Sequence, residues 1–444
     1  MISMGYGSIA LLMFSSMLLL MLTGQRVFAV IGFVGVAAAL LLWGPGGVEL
    51  GFASAMKLMK WYPMLTVPLF VFMGYMLAES RIADDLYKMF HVWFGPVRGG
   101  LAIGTMLLMV VISAINGLSV AGMAVGATIA LPELLKRGYD KIMVSGVIQG
   151  GSTLGILLPP SVVLVLYGMI ARQPVGNLWM AGLFPGLLMA ATFILYIIIR
   201  CWLQPELGPP LPKEERDQYS WADKFRLLRA GILPLVIFVT MAIMFLRGIA
   251  SLVEVSAVGA LMAAAAAVIQ RRMTWQVFHS TMKKTLGVSA MFMWILLAAL
   301  CFGAVFDGLG AVKSVEKFFL ADLGLTPWQV LALMQLTFLI MGIFLDDTAM
   351  LVIVAPLFIP LAGALGFDLV WYGVLYTITC QIAYLTPPFG YNLFLMRAMA
   401  PPEITLPDIY RSIIPFVIIM LINLVILCIF PEIATWLPAQ VYSK

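Results

Sequence analysis

The chain has 444 residues, of which 63% are hydrophobic and 11% charged, with a mean hydropathy of +1.05 and a formal net charge of +5. Soluble domains average about 25% charged residues, so this composition excludes a soluble protein, and the small net charge offers nothing to nucleic acid. The apolar runs continue unbroken for about 17–25 residues and do not alternate with a period of two, which indicates membrane helices and excludes a β-barrel.

Taken in chain order, the first half predicts spans near 4–22, 26–43 and 63–79, then an apolar pair at 99–115 and 119–135. A span at 141–170 follows, interrupted by Pro159-Pro160, and then one at 178–203. The first run lacks a basic leading segment and another run follows at once, so it does not read as a signal peptide. A polar stretch from about Gln204 to Arg229, containing P-E-L-G-P-P-L-P-K-E-E-R-D-Q, reads as a linker. The second half predicts spans at 229–246, 248–269 and 287–309, the pair 327–344 and 348–364, a broken span at 370–398, and one at 408–430. Amphipathic stretches near 48–62, 81–95, 272–285 and 311–322 read as interfacial helices.

The halves repeat. A shift of 228 residues lays Pro132 on Pro360, Gly138 on Gly366, Asp140 on Asp368, Pro159-Pro160 on Pro387-Pro388 and Pro174 on Pro402. Shifts of 229 and 224 align earlier positions, Gly74 with Gly303 and Gly35 with Gly259. This is an internal duplication: a first repeat at 1–205 with hairpin 99–135 and broken helix 141–170, a cytoplasmic linker at 206–228, and a second repeat at 229–444 with hairpin 327–364 and broken helix 370–398. Each half makes an odd number of crossings whichever way its apolar pair is drawn, so the repeats lie in opposite orientations. That is the plan of many secondary transporters. Drawn so, 19 of the 26 Lys and Arg residues fall on one side. The basic side is cytoplasmic by the positive-inside rule, and both termini are expected in the periplasm.

No enzyme chemistry is expected. Cys201, Cys301, Cys380 and Cys428 lie in or beside apolar segments and read as small buried residues. His91 and His279 have no ligand spacing, and there is no nucleotide loop, zinc motif or nucleophile elbow. The doubled prolines stand out instead. A proline removes a backbone donor and clashes with the carbonyl one turn back. In hydrocarbon the freed groups must find internal partners or line a wet cavity. Such a break reads either as a packing kink or as a site where carbonyls and half-helix ends face an ion or an anionic substrate. Gly155, Pro159 and Ser161 surround the first break, and Thr386, Pro387 and Gly390 the second. Their carbonyls and hydroxyls are hard oxygen ligands that suit Na⁺, with carbonyls near Leu157–Leu158 and Leu385–Thr386 expected to face a polar cavity.

The turns of the apolar pairs form the second set of candidates. The first reads S-A-I-N-G-L-S, with Ser113, Asn116, Gly117 and Ser119; the second reads G-I-F-L-D-D-T-A, with Asp346, Asp347 and Thr348. Each pair reads either as two spanning helices joined by a surface loop or as a re-entrant hairpin whose tip faces the other half's proline break. An intramembrane carboxylate is costly and marks an ion or proton pathway, which makes Asp346-Asp347 the sharpest single candidate.

At these residues the chain resembles the large membrane subunit of tripartite ATP-independent periplasmic (TRAP) transporters, the DctM type. The likeness is carried by R-G-G-L-A from Arg98, A-I-N-G-L-S from Ala114, A-L-P-E-L-L-K-R-G-Y-D from Ala130, G-I-L-L-P-P-S-V from Gly155 and A-G-L-F-P-G-L-L from Ala181. The second half adds L-D-D-T-A from Leu345, A-P-L-F-I-P-L from Ala355 and L-T-P-P-F-G from Leu385. Two departures stand out: the first tip is Asn116-Gly117-Leu118-Ser119 where the family often has Ser-Gly-Ser-Ser, and the second has two Asp where one is usual. The resemblance implies an all-α elevator in the bacterial inner membrane, in which two hairpins and two broken helices move against a scaffold. It implies symport with Na⁺ at the candidate residues, a carboxylate substrate delivered by a periplasmic binding protein, and a small four-helix membrane subunit as partner. The alternative is a binding-protein-independent divalent-anion symporter on the same plan.

Overall fold

The computed structural model describes the chain except residues 1–4, 22, 24, 45, 118, 213, 215–217, 318–323, 343–346, 388–389 and 443–444. Regular structure among the described residues is helical throughout. The first half runs α1 (Tyr6–Met21), α2 (Val27–Ala38, extended by a π-turn at Ala39–Trp43), α3 (Gly47–Met59), α4 (Thr66–Glu79), α5 (Ile82–Phe94), α6 (Gly100–Asn116), α7 (Ser119–Val125), α8 (Leu131–Lys136), α9 (Lys141–Thr153), α10 (Val162–Ala171) and α11 (Val175–Leu203). The second runs α12 (Trp221–Leu227), α13 (Arg229–Leu246), α14 (Leu252–Ile269), α15 (Trp275–Gly308), α16 (Ala311–Lys317), α17 (Pro327–Gly342), α18 (Asp347–Ala364), α19 (Leu369–Tyr384), α20 (Tyr391–Met399), α21 (Leu406–Ile429) and α22 (Glu432–Tyr442). Among the described residues, five helical stretches are long and apolar enough to cross a bilayer by themselves: α11, the run Trp221–Phe245, α14, α15 and α21.

The molecule is an all-α inverted repeat with two re-entrant hairpins, α6–α8 and α17–α18, and two broken helices, α9–α10 and α19–α20. Equivalent positions carry equivalent chemistry. Asp140 caps α9 and Asp368, 228 residues later, caps α19. Each carboxylate accepts a backbone N–H three residues on, from Met143 and from Trp371, at 2.8 Å. Asp140→Ala and Asp368→Ala should each cost about 1 kcal/mol of stability. Denaturant titration of the protein in micelles would contradict this equivalence if one cap proved worth several times the other.

Two clusters of helices stand out, and α18 bridges them, packing on α15 of the first and on α10 and α17 of the second. In one, α15 packs along α2, α3 and α4, and α14 packs on α4 and α13. In the other, α9 sits between α6, α7 and α21, while α19 packs on α17, α11 and α21. Small residues permit the close approaches of α9. A Cβ on Gly146 would lie 2.3 Å from the Ser412 carbonyl oxygen, and one on Gly150 would lie 2.5 Å from the Phe416 ring. This is the small-residue spacing that draws membrane helices together.

Three predicted elements differ in the structure. The amphipathic stretch at 272–285 and the span at 287–309 are one helix, α15, of 34 residues and about 51 Å. The first half is divided at the corresponding place by the turn Tyr62–Leu65, which contains Pro63. The second half has no proline between Thr274 and Gly308, and Gly287 alone costs about 1 kcal/mol, too little to end a packed helix. The second arm of the first hairpin carries a π-turn at Gly126–Ala130, just before Pro132, where the missing proline donor disrupts the ladder. Finally, α22, which the hydropathy pattern does not announce, packs on α11.

The predicted linker is docked over its first part. Gly99 N–H donates to the Gly208 carbonyl at 2.8 Å, Leu211 N–H to Gly95 at 2.9 Å, and Asp140 N–H to Leu207 at 3.0 Å. Residues 207–211 therefore staple the α5–α6 turn to the start of α9. Ion pairs across the halves gather on residues assigned to the basic side: Lys141 with Asp408 at 2.7 Å, Arg272 with Asp85 at 2.8 Å, and Lys284 with Glu79. Partly exposed pairs contribute little to stability, about 0–1 kcal/mol, but their clustering accords with a single charged face.

Candidate functional site

The first broken helix stops where its sequence requires. After Thr153 comes a 3₁₀ turn at Leu154–Ile156, then irregular backbone through Pro159 and Pro160, and α10 starts at Val162. Ser161 caps α10: its hydroxyl accepts Leu164 N–H at 3.1 Å and donates to the Ile156 carbonyl. Trp179 Nε1–H donates to the Ser161 carbonyl at 3.3 Å. Gly182 brings α11 so near Leu157 that a Cβ there would lie 2.5 Å from the Leu157 oxygen. The expectation of carbonyls facing a polar cavity is thus corrected at this break. The Ile156 and Ser161 carbonyls have side-chain partners, Leu157 is covered by α11, and the cavity beside Pro159-Pro160 is apolar.

At the second break, Thr386 Oγ1–H donates to the Ile382 carbonyl at 2.7 Å and Gly390 N–H to the Thr386 carbonyl at 3.1 Å. Pro387 is exposed and Gly390 buried. Helix α20 then begins without the side-chain cap that Ser161 gives α10.

The tip of the first hairpin is inside the protein, not on its surface. Gly117 is buried with φ +64°, and its carbonyl accepts Val162 N–H at 3.3 Å. A Cβ on Gly117 would lie 2.2 Å from the Pro160 oxygen. Ser119 is 2% exposed and hydrogen-bonds fully buried Asn392, whose Nδ2–H donates to Ser119 Oγ and to Ser152 Oγ, both at 3.0 Å. The tip therefore meets its own half's break through Gly117 and the helix after the other half's break through Ser119. The sequence had suggested the second contact alone.

Three segments from distant parts of the chain thus close on one buried polar knot. Beside it, Gln381 Nε2–H donates to the Thr153 carbonyl at 2.8 Å. Thr153 and Gln381 are equivalent under the 228-residue shift, so the pseudo-twofold axis of the repeat passes close to this contact. Gln149 Nε2–H reaches Ser412 Oγ at 2.9 Å. The side-chain oxygens of Gln149 and Gln381 are buried without a hydrogen-bond partner among the described residues. Asn392, Gln381 and Gln149 were missed by sequence reasoning directed at prolines, glycines, hydroxyls and carboxylates. The available signal was an uncharged amide within an apolar helix, which has to find a partner in a membrane protein.

Gly155 is buried in the 3₁₀ turn. The side chains of Ser113, Asn116, Asp347 and Thr348, and the whole of Asp346 and Pro388, lie outside the described residues. At the second hairpin, a Cβ on Gly342 would lie 2.3 Å from Ala383 Cβ, so the end of α17 abuts α19 just before its break. No group of three His, Cys, Asp or Glu side chains among the described residues is placed to hold a metal ion. The donors gathered here are neutral oxygens and amides.

Residues 14–433 match the family described as the DctM component of tripartite ATP-independent periplasmic transporters. The chain belongs to that family. One relative is the C4-dicarboxylate TRAP transporter large permease protein DctM of Pseudomonas aeruginosa, 29% identical over 90% of this chain and 92% of its own length. Another is the ectoine/5-hydroxyectoine TRAP transporter large permease protein UehC of Ruegeria pomeroyi, 29% identical over 86% of this chain and 87% of its own. Among solved structures, the YdaH transporter of Alcanivorax borkumensis, described as having an unusual topology, has a similar fold. The TM-score is 0.63 at 14% identity, covering 87% of this chain and 89% of that one. The chain is a TRAP transporter large permease, a multi-pass membrane component and not an enzyme.

Proposed function

We propose that this TRAP permease is the carrier of a sodium-driven uptake system for an organic acid and works by an elevator motion. The observation that carries the reading is the knot of Ser119, Ser152 and Asn392, which joins the first hairpin tip to both broken helices. Its oxygens, and the unpartnered side-chain oxygens of Gln149 and Gln381 nearby in the chain's fold, are neutral, hard donors of the kind Na⁺ accepts. A bound Na⁺ would supply the positive charge that favours a carboxylate nearby. The chain's own part is to hold the donors where two hairpins and two breaks converge, so that ion and substrate move with that group of helices against α2–α4, α14 and α15. Delivery by a periplasmic binding protein and a scaffold completed by a small four-helix membrane subunit accord with a tripartite system. In this scheme the candidates Asp346, Asp347 and Thr348 serve the equivalent tip of the second hairpin.

The test is initial uptake into vesicles against Na⁺ concentration, with the partner subunit and binding protein present and a substrate panel that includes C4-dicarboxylates and ectoine. Ser119→Ala, Asn392→Ala, Thr386→Ala and Asp347→Ala should raise the Na⁺ half-saturation concentration, by about tenfold where one donor is worth about 1.4 kcal/mol. An unchanged half-saturation in all four would remove the sodium site from these residues. Uptake that does not need the binding protein would favour a self-sufficient symporter.

The same scheme places the chain in the inner membrane with both termini periplasmic. Cysteines introduced as Lys213→Cys and Ser443→Cys should label from opposite sides, the first from the cytoplasm. Labelling of both from one side would exclude this topology.

A further inference from the structure

A cavity of about 90 Å³ lies between the first proline break and the inner face of α13. Trp179, Met241 and Val255 form its floor and are buried. Phe238, Ala242 and Leu437 form its rim and are half-buried. Pro159 and Pro160 close one side, and no polar surface lines it. Trp179 does not break that rule, because its N–H is turned away to the Ser161 carbonyl. The rim opens between α13 and α22. Next to it, the outer face of α13 shows Ile232, Val236, Val239 and Ile243, 53%, 44%, 41% and 49% exposed. So apolar an outer face on a membrane helix suits contact with lipid tails.

We propose that this cavity is a binding site for an acyl-chain segment of a bilayer lipid, which enters over Ala242 and ends against Pro159-Pro160. Water finds no hydrogen-bond partner in an apolar cavity of this kind, and such cavities stay dry and take up apolar ligands. Left empty, the lining atoms lose the dispersion contacts they would otherwise make. A saturated chain needs no polar partner, and at this depth it is the medium at the rim. The occupant would make lipid a packing partner of the broken helix, filling the joint between α13–α14 and the segment that Ser161, Trp179 and Gly182 hold in place. This site is separate from the polar knot and does not depend on the ion coupled to transport.

The test uses the full chain reconstituted into phosphatidylcholine vesicles, with unlabelled acyl chains or chains brominated near their middle, since bromine quenches indole fluorescence at short range. The share of emission due to Trp179 is the difference between wild type and Trp179→Phe, with the other Trp residues as common background. Expected is a fall of about twofold in that share in the brominated vesicles, because an apolar cavity open to lipid fills with it. Ala242→Ile, which adds bulk at the rim, should largely restore the emission, and Val255→Ile, which fills the floor, serves as a second blocker. The proposal is overturned if Trp179 emission is equal in the two kinds of vesicle, or if both blockers fold yet leave the quenching unchanged. It is also overturned if adding the small membrane subunit abolishes the quenching, since the cavity would then belong to a protein partner. The wild-type comparison decides the matter even if neither blocker folds.

Discussion

Gly117→Ala is expected to assemble in the membrane and to lose transport. Two costs fall on one methyl group. The left-handed backbone at φ +64° costs a residue with a Cβ about 1–2 kcal/mol. The Cβ would also stand 2.2 Å from the Pro160 carbonyl oxygen, a backbone atom in a segment pinned by Ser161 and Trp179. The tip must therefore back away from the break, pulling Ser119 from Asn392. A fall in uptake per folded molecule of about a hundredfold corresponds to about 2.7 kcal/mol, which strain of this size can supply. Gly138→Ala is the control. Its φ is +77°, with nothing within 4 Å of the added Cβ, so it bears the backbone cost without the clash. It should lower stability slightly and leave transport per folded molecule unchanged. Equal transport in the two variants would mean that contact between tip and break is dispensable.

Replacing Pro159-Pro160 with Ala-Ala should abolish transport without abolishing folding. In a helix interior each such exchange favours helix by about 3 kcal/mol, and α9 and α10 would gain a continuous ladder. The structure shows what resists that gain. Ser161 holds Ile156 and Leu164, Trp179 holds Ser161, and α11 lies over Leu157 through Gly182. Where the helix runs through, these partners are lost and Ser152 rotates away from Asn392. Sodium-dependent uptake per folded molecule is the quantity to measure, in this variant and in Pro387-Pro388→Ala-Ala. Normal uptake by both folded variants would reduce the breaks to packing kinks and refute the role given them here.

Breaks and repeat were legible in the sequence, the one through local chemistry and the other through recurrence. Proline cannot donate, and the same residues return 228 positions later. Asp140 and Asp368 act as a pair for that reason, and α9 ends before Pro159 for that reason. Asn392 and Gln381 were not legible. An amide in an apolar helix announces only that it needs a partner, and their partners Ser119, Ser152 and Thr153 lie in the other half of the chain. The docked linker shows the same limit: P-E-L-G-P-P-L-P is polar and proline-rich wherever it lies, and only Gly95, Gly99 and Asp140 decide that it is stapled down. Helix α15 adds a further case, since a weakly amphipathic stretch and an apolar one join whenever nothing between them breaks the ladder.

The sequence by itself determined that the protein is a duplicated, helical, membrane-embedded carrier component with four interruptions in its apolar runs. Hydropathy, parity of crossings and proline chemistry act along the chain and need no knowledge of its neighbours. The tertiary structure decided what those interruptions face. It turned the first hairpin tip from a possible surface loop into a buried contact with Pro160 and Asn392, and it satisfied the carbonyls of the first break with Ser161 and Trp179. It also left an apolar cavity where a polar one was expected. Contacts spanning more than two hundred residues are set by which helices fit against which. That fit depends on small side chains such as Gly117, Gly146 and Gly182, whose meaning appears only when the opposing surface is known.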